Sequence, residues 1–506
     1  MIDKINRWKL LASAALLIAG TGLAQAQTLR IGLQDDPDAL DPAKARTFVG
    51  RIVFTAMCDK LVDIDDKLNF VPQLATSWTY SEDGKTLSMK LRSGVKFQDG
   101  TPFDANAVKF NIERSQTLNG SMRKSELASV ESVSVDGPLA VSFHLKSPDS
   151  TLLAQFTDRS GMMVSPKAAT ELGDNFAQKP VCSGPYKFVE RVAQDRIVLE
   201  KFEDYWNKDA YKIQKVVYLP IPDTTVRLAN LRSGDLQLIE RLAAPDVKTV
   251  KADPTLQYAT DPGIGYQALY INVANGDRAK TPLGQDKRVR QALELALDRD
   301  AINQVVFEGV NPPANQPFGV TSPWYDKDFP LKPRNVAKAK ELLKAAGVTG
   351  RLKVEIMVAT STLEQQVTQL IQAMWAEIGV DVSIRATEFA TLLKEASTGN
   401  FEIAQFGWSG RPDPDGNIHT FVTCKGGLNY PKYCNAEVDK QLFGARAVVD
   451  PAKRKVMYDA AQKILLDDMP VIYTYQQSWN WAYAKTLKGF KPYPDGMIRL
   501  AGVTLQ

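Results

Sequence analysis

Histidine is nearly absent: the 506 residues hold two, His144 and His419. There is accordingly no H-E-x-x-H zinc motif, and no Walker loop or G-x-S-x-G elbow occurs either. Gly407-Trp408-Ser409-Gly410 comes nearest to an elbow, but Arg411 stands where its last glycine belongs. His144 falls in an alternating run without a partner, the ordinary position of a surface or core residue. Basic runs are also lacking and the formal net charge is only +4, which argues against nucleic acid as a partner. Cysteines number four, none in C-x2-C spacing, so no metal or other cofactor is expected.

Long apolar runs are missing apart from one at the start. Lys4, Arg7 and Lys9 precede an apolar core from Leu10 to Ala19, and Ala24-Gln25-Ala26 offers a small-x-small cleavage site, the pattern of a secretory leader over residues 1–26. Gly20 and Gly22 cut the run below the roughly 20 residues a membrane span needs. No cysteine lies near the cleavage site, so a lipid anchor is not expected, and the exported chain is expected to be free and soluble. An oxidising compartment favours paired cysteines, and Cys58, Cys182, Cys424 and Cys434 allow three pairings. The loop-like stretch between Cys424 and Cys434 favours that pair, worth about 2.7 kcal/mol in the chain-entropy model, and leaves Cys58 with Cys182 at about 5 kcal/mol.

The length accommodates two or three domains. Residues 74–108 read as one supersecondary unit: Asp83-Gly84 turns a hairpin, Thr86 to Leu91 alternates, Gly94 precedes a short Val95-Lys96-Phe97 strand, and Asp99-Gly100 turns into a helix reaching Arg114. A second hairpin is expected around Asp136-Gly137-Pro138, and a strand at Thr28 to Leu33 precedes a turn-rich loop ending Leu40-Asp41-Pro42. Gly263-Ile264-Gly265 is a near match to a dinucleotide fingerprint, but Tyr266 to Asn272 continues as a strand where the pyrophosphate needs a helix N-terminus. From Lys287 a helix with a break near Asp298, a helix stopped by Gly347, a strand at Lys353 to Met357, a helix from Leu363 to Ile378 and a strand at Val380 to Arg385 alternate as an α/β domain does.

Several of these elements coincide in order and spacing with a known pattern. A-x-S-W at Ala75 to Trp78, D-G-x-T at Asp83 to Thr86, L-R-x-G-V-K-F at Leu91 to Phe97, D-G-x-P at Asp99 to Pro102, G-P-Y-K-F at Gly184 to Phe188 and the Tyr205-Trp206 pair resemble the family 5 solute-binding proteins of bacterial ABC importers. The resemblance covers nearly the whole chain after the leader. It implies an α/β fold, a two-lobed periplasmic-binding-protein clamshell with an additional domain, of the three-domain cluster C type. Domain I is expected over 27–70, 181–271 and 482–506, the extra domain over 71–180, and the large lobe over 272–481. It also implies a monomer that delivers a small peptide or peptide-like ligand to ABC permease subunits in the inner membrane, indirectly served by ATPase subunits, with no chemistry of its own. The competing reading is a secreted hydrolase acting on a small peptide or ester-like substrate.

The candidate site is the stretch from Phe406 to His419, where a strand delivers Trp408 into a glycine- and proline-rich loop with Arg411, Asp413, Asp415 and Asn417. Its plain structural reading is a turn in which the two acids cap backbone amides. Receptors that this chain resembles carry W-x-x-D-Y followed by D-P, the first acid binding the ligand's ammonium group. Here Arg411 occupies that place, the tyrosine has no counterpart, and one residue is missing before Asp413-Pro414. A guanidinium clamps a carboxylate and repels an ammonium. Either Arg411 therefore grips a ligand carboxylate, or Asp413 or Asp415 takes over the ammonium. Trp479, or Trp481 beside it, offers an aromatic face, and Tyr266 completes the candidates.

Overall fold

The structure is a computed structural model and describes residues 27–506; the leader expected over 1–26 lies outside the described residues. One ten-stranded sheet organises the chain. Its order is Val380–Thr387, Leu352–Ala359, Ile403–Trp408, Leu256–Ile271, Val471–Ala484, Leu238–Ile239, Thr28–Leu33, Lys215–Pro220, Arg196–Lys201 and Tyr186–Val192. At either side the strands belong to a separate lobe. Thr28–Leu33 runs parallel to Lys215–Pro220 and Leu238–Ile239, and Leu352–Ala359 runs parallel to Val380–Thr387 and Ile403–Trp408.

The two central strands join the lobes. Leu256–Ile271 has 16 residues and Val471–Ala484 has 14, so at about 3.3 Å per residue each is far longer than the 6-residue strand Ile403–Trp408 beside it. They pair antiparallel in two main blocks, Leu256 to Asp261 against Ala484 to Trp479 and Gly265 to Tyr270 against Gln477 to Val471, the second with a further register shift between Gln267 and Ala268. Pro262 and Gly263 sit in the break between the blocks. A proline cannot supply a ladder hydrogen bond, and a bulge is where a strand tolerates one. Gly263 takes φ +69°, and a Cβ there would come within 2.2 Å of the Gln477 carbonyl oxygen. The dinucleotide reading of this stretch stays rejected, since no helix follows Gly265.

The extra region packs on its own sheet. Ala75–Tyr80, Thr86–Leu91, Ala140–Leu145 and Val130–Gly137 form four antiparallel strands in that order. Leu87, Met89 and Leu91 point inward from alternate positions and meet Val108, Ile112, Phe143 and Phe156 in one apolar cluster. Helix Ala105–Thr117 starts where Asp104 accepts a hydrogen bond from the Ala107 amide at 2.9 Å. The short strand expected at Val95 to Phe97 is only an isolated bridge from Lys96 to Pro102, because Asp99-Gly100 closes the loop too tightly for a ladder. In the large lobe the expected break near Asp298 is an N-cap: helices Lys287–Leu295 and Arg299–Phe307 flank it, and its side chain accepts from the Ala301 amide.

Both cysteine pairs are disulfides, Cys58 with Cys182 and Cys424 with Cys434. The first ties the end of helix Phe48–Met57 to the segment that returns from the extra sheet. Among the described residues no helix is long and apolar enough to cross a membrane. Because the bulge at Gly263 has no room for a side chain, Gly263→Ala should lower stability by about 1–3 kcal/mol. The midpoint of urea unfolding checks this; an unchanged midpoint would mean that the two long strands tolerate a regular crossing.

Candidate functional site

A cavity lies between the lobes. Its walls follow from the strand order, since side chains beyond the carboxyl ends of parallel strands face the crevice where a sheet changes direction. Gln34 and Asp35 follow strand Thr28–Leu33, Ala359 ends strand Leu352–Ala359 with Glu364 in the first turn of the next helix, and Trp408 ends strand Ile403–Trp408. Arg46, Phe48 and Arg51 enter from the start of helix Phe48–Met57, and Arg159 from the extra region. Trp479 and Gln477 come from the crossing strand.

Aromatic rings supply the apolar wall. Phe48 and Trp479 stack at 4.5 Å with planes 6° apart, and Trp408 meets Phe421 edge-on at 4.9 Å. Each indole N–H is already used, Trp479 Nε1 donating to the Pro494 carbonyl and Trp408 Nε1 to Asn417 Oδ1, both at 3.0 Å. Only their faces and edges remain for a ligand.

The loop after Trp408 is built differently from the sequence expectation. Residues Asp415–Val422 are a helix, so the turn-rich reading holds only up to Pro414. Asn417 Oδ1 also accepts from the Arg411 amide at 2.7 Å and its Nδ2 donates to the Arg411 carbonyl at 3.0 Å, while the Tyr266 hydroxyl donates to the Asn417 carbonyl at 3.2 Å. Asp413 receives two hydrogen bonds from Arg454, at 2.7 and 2.9 Å, and Asp415 two from Arg446, at 2.6 and 2.8 Å. Of the seven residues singled out from sequence, Trp408 and Trp479 line the cavity; Arg411, Asp413, Asp415, Asn417 and Tyr266 shape and hold the loop beside it.

Arg411 is 7% exposed and forms an ion pair with Asp158 of the extra region, its guanidinium 4.0 Å from the Trp408 ring centre. The same carboxylate takes Arg51 Nε at 3.1 Å and has Arg159 Nε at 3.8 Å. Arg51 Nη1 in turn donates to Ser409 Oγ at 2.7 Å. One buried acid thus gathers the guanidinium of its sequence neighbour Arg159 and those of two distant segments, at Arg51 and Arg411, and spans the lobes. Burial alone would raise the Asp158 carboxyl, but Arg411, Arg51 and Arg159 together hold it well below the usual carboxylate range.

Charge of both signs faces the cavity. Arg46, Arg51 and Arg159 line one part of it, and behind them Arg411 and Arg123 join Arg51 and Arg159 in the field of Asp158, with Glu126 paired to Arg123. Elsewhere on the wall Asp35 and Glu364 face Arg241, whose nearest terminal nitrogen is 3.7 Å from Glu364 Oε1. Burial pushes the Asp35 carboxyl up to about 7 against the pull of Arg241, and burial raises Glu364 as well. Sequence reasoning missed Asp35, Arg46, Arg51, Asp158, Arg159, Arg241 and Glu364. One signal was present: Arg51 is the single charge in the otherwise apolar helix FVGRIVFTAM.

Removing Asp158 leaves three guanidiniums uncompensated, so Asp158→Ala should destabilise the protein by about 3–5 kcal/mol. Arg411→Ala leaves the acid with two partners and should cost about 1–3 kcal/mol. Urea unfolding of both variants checks the order. The depressed Asp158 carboxyl stabilises the folded chain fully above its unfolded value near 4, and the contribution fades as pH falls further. Asp158→Asn should flatten that acid-side loss in a thermal scan.

Comparison with known proteins agrees with this geometry. The family model for bacterial extracellular solute-binding proteins, family 5, middle, matches residues 69–429. Over 97% of its length the chain is 28% identical to a glutathione-binding protein of Pectobacterium atrosepticum, covering 97% of that protein. Over 96% it is 27% identical to a di/tripeptide-binding protein of Pseudomonas aeruginosa, covering 95%. Among solved structures it superposes at a TM-score of 0.86 on an ABC transporter-associated periplasmic binding protein of Helicobacter pylori in complex with the peptide STSA, with 26% identity and 94% and 98% of the two chains covered. The Escherichia coli murein tripeptide binding protein gives a TM-score of 0.85 at 26% identity, covering 95% and 99%. The chain belongs to the family 5 bacterial extracellular solute-binding proteins, with the two-lobed, three-domain α/β architecture of that family.

Proposed function

We propose that the protein captures a small zwitterionic peptide or peptide-like solute between its lobes and hands it to the permease subunits of an ABC importer. The observation that carries this reading is the closed interlobe cavity with a guanidinium-rich patch around Arg46, Arg51 and Arg159 and a carboxylate pair at Asp35 and Glu364. Aromatic walls with a few charged groups of both signs suit a small zwitterionic ligand. The glutathione and di/tripeptide binding named for its relatives supports the same ligand class. Export through a leader cleaved after Ala26, a periplasmic location without lipid anchor and a monomeric state belong to this proposal.

No residue pair on the cavity wall favours the hydrolase alternative. Neither histidine lines the cavity, and the Ser409 hydroxyl accepts from Arg51, a guanidinium that takes up no proton. Expression in a bacterial periplasm, purification without stripping and mass spectrometry of the denatured sample should release an intact solute bearing both an amine and a carboxylate. Cleaved products, and turnover of intact peptide added back, would favour the hydrolase.

A further inference from the structure

We propose that the cavity seats a protonated amine of the solute between Asp35 of the first lobe and Glu364 of the large lobe, with the Gln267 amide oxygen as third acceptor. The proposal deepens the receptor reading and rests on it. It places the amine away from the loop after Trp408, where Arg411 would repel a cation.

The two carboxylates reach one cavity from opposite lobes, Asp35 just beyond strand Thr28–Leu33 and Glu364 in the first turn of helix Thr362–Ala376. Gln267 lines the same space, is 3% exposed, and has an Oε1 without a hydrogen-bond donor, although its Nε2 donates to Gln477 Oε1 at 3.2 Å. Its amide lies across Gly407, where a Cβ would approach it to 2.4 Å. Gln405, two residues away on that face of the strand, donates through Nε2 to the Glu364 carbonyl at 3.1 Å. Gln267, Gln405 and Glu364 thus line the same cavity.

This part of the cavity holds more acids than bases. Asp35, Glu364 and the buried Glu240 stand against Arg241 and Arg227. Arg227 gives its terminal nitrogens to the carbonyls of Ile221, Pro222 and Arg241. Arg241 stays 3.7 Å from both Glu240 and Glu364, held near the rings of Phe48 and Trp479, and its Nε meets no acceptor. Glu240 Oε1 accepts from the Gln34 amide at 2.8 Å, and its Oε2 has no donor. Asp35 accepts one hydrogen bond from Gln34 Nε2 at 3.3 Å and Glu364 a long one from Gln405 Nε2 at 3.5 Å, while Gln267 Oε1 accepts none; an ammonium group would bring one positive charge and three N–H donors to these acceptors. Burial raises both the Asp35 and Glu364 carboxyls, so a cation between them would offset the cost of holding the two acids charged. A cation bridging acids from opposite lobes also favours the closed arrangement over the open one.

The test uses a mixed tripeptide library with free amino termini and the same library N-acetylated, read by thermal shift and by competition binding at pH 8. Wild-type protein should be stabilised by the free-amine library and far less by the acetylated one, a comparison that needs no variant to fold. Asp35→Asn and Glu364→Gln should each bind the free-amine library about 10- to 100-fold more weakly, the range for a hydrogen bond to a charged group. Empty Asp35→Asn should melt higher than empty wild type at pH 8 and not at pH 4. The raised Asp35 carboxyl costs stability above its folded value and nothing below its unfolded one. Equal binding of both libraries by wild type, or an undiminished amine preference in both variants, overturns the seat and leaves the peptide receptor standing. Binding of neither library by wild type overturns the peptide reading, and the seat with it.

Discussion

A single buried carboxylate holds the two lobes in register. Asp158 belongs to the extra region, Arg51 to the first helix of the first lobe, and Arg411 to the loop that leaves the large lobe's sheet at Trp408. Each guanidinium would be expensive to bury alone, and three near one acid leave a surplus of positive charge that a solute carboxylate can neutralise. Arg51 extends the connection by donating to Ser409, next to Trp408. The position of the indole on the cavity wall therefore depends on an ion pair that ends more than 250 residues away in sequence, at Asp158.

Around that anchor the cavity is polar in an ordered way. Guanidinium groups gather where the extra region meets the loop, carboxylates where the two sheet ends face each other, and rings of Phe48, Trp479 and Trp408 provide apolar surface. Such an arrangement favours a zwitterion over a simple cation or anion, because either alone would leave one patch unpaired. It also explains why the acids after Trp408 do not reach the cavity. Asp413 and Asp415 are each held by two hydrogen bonds from one arginine, Arg454 or Arg446, and a carboxylate so engaged has little to offer a ligand.

Local structure was legible where the signal is local. Asp83-Gly84 fixed a hairpin, Asp298 marked a helix boundary, Gly347 stopped a helix, and the loop-like stretch between Cys424 and Cys434 indicated their pairing. The tryptophans on the cavity wall were also legible, since Trp408 ends a strand and Trp479 falls in an aromatic run. The charged residues of the cavity were not. Asp35, Asp158, Arg241 and Glu364 lie in four separate stretches, and nothing in their spacing records that the long strands Leu256–Ile271 and Val471–Ala484 bring those stretches together. Arg411 stood out because it departs from the family's pattern, yet its partner Asp158 could be found only from the fold.

The most direct test is a crystal structure of the protein purified with its solute in place. The account predicts the solute enclosed between the lobes, its amine within hydrogen-bond distance of Asp35 and Glu364 and a carboxylate beside Arg46 and Arg159, with Arg411 still paired to Asp158. A solute whose amine sits on Asp413 or Asp415, or whose carboxylate displaces Asp158 from Arg411, would contradict it.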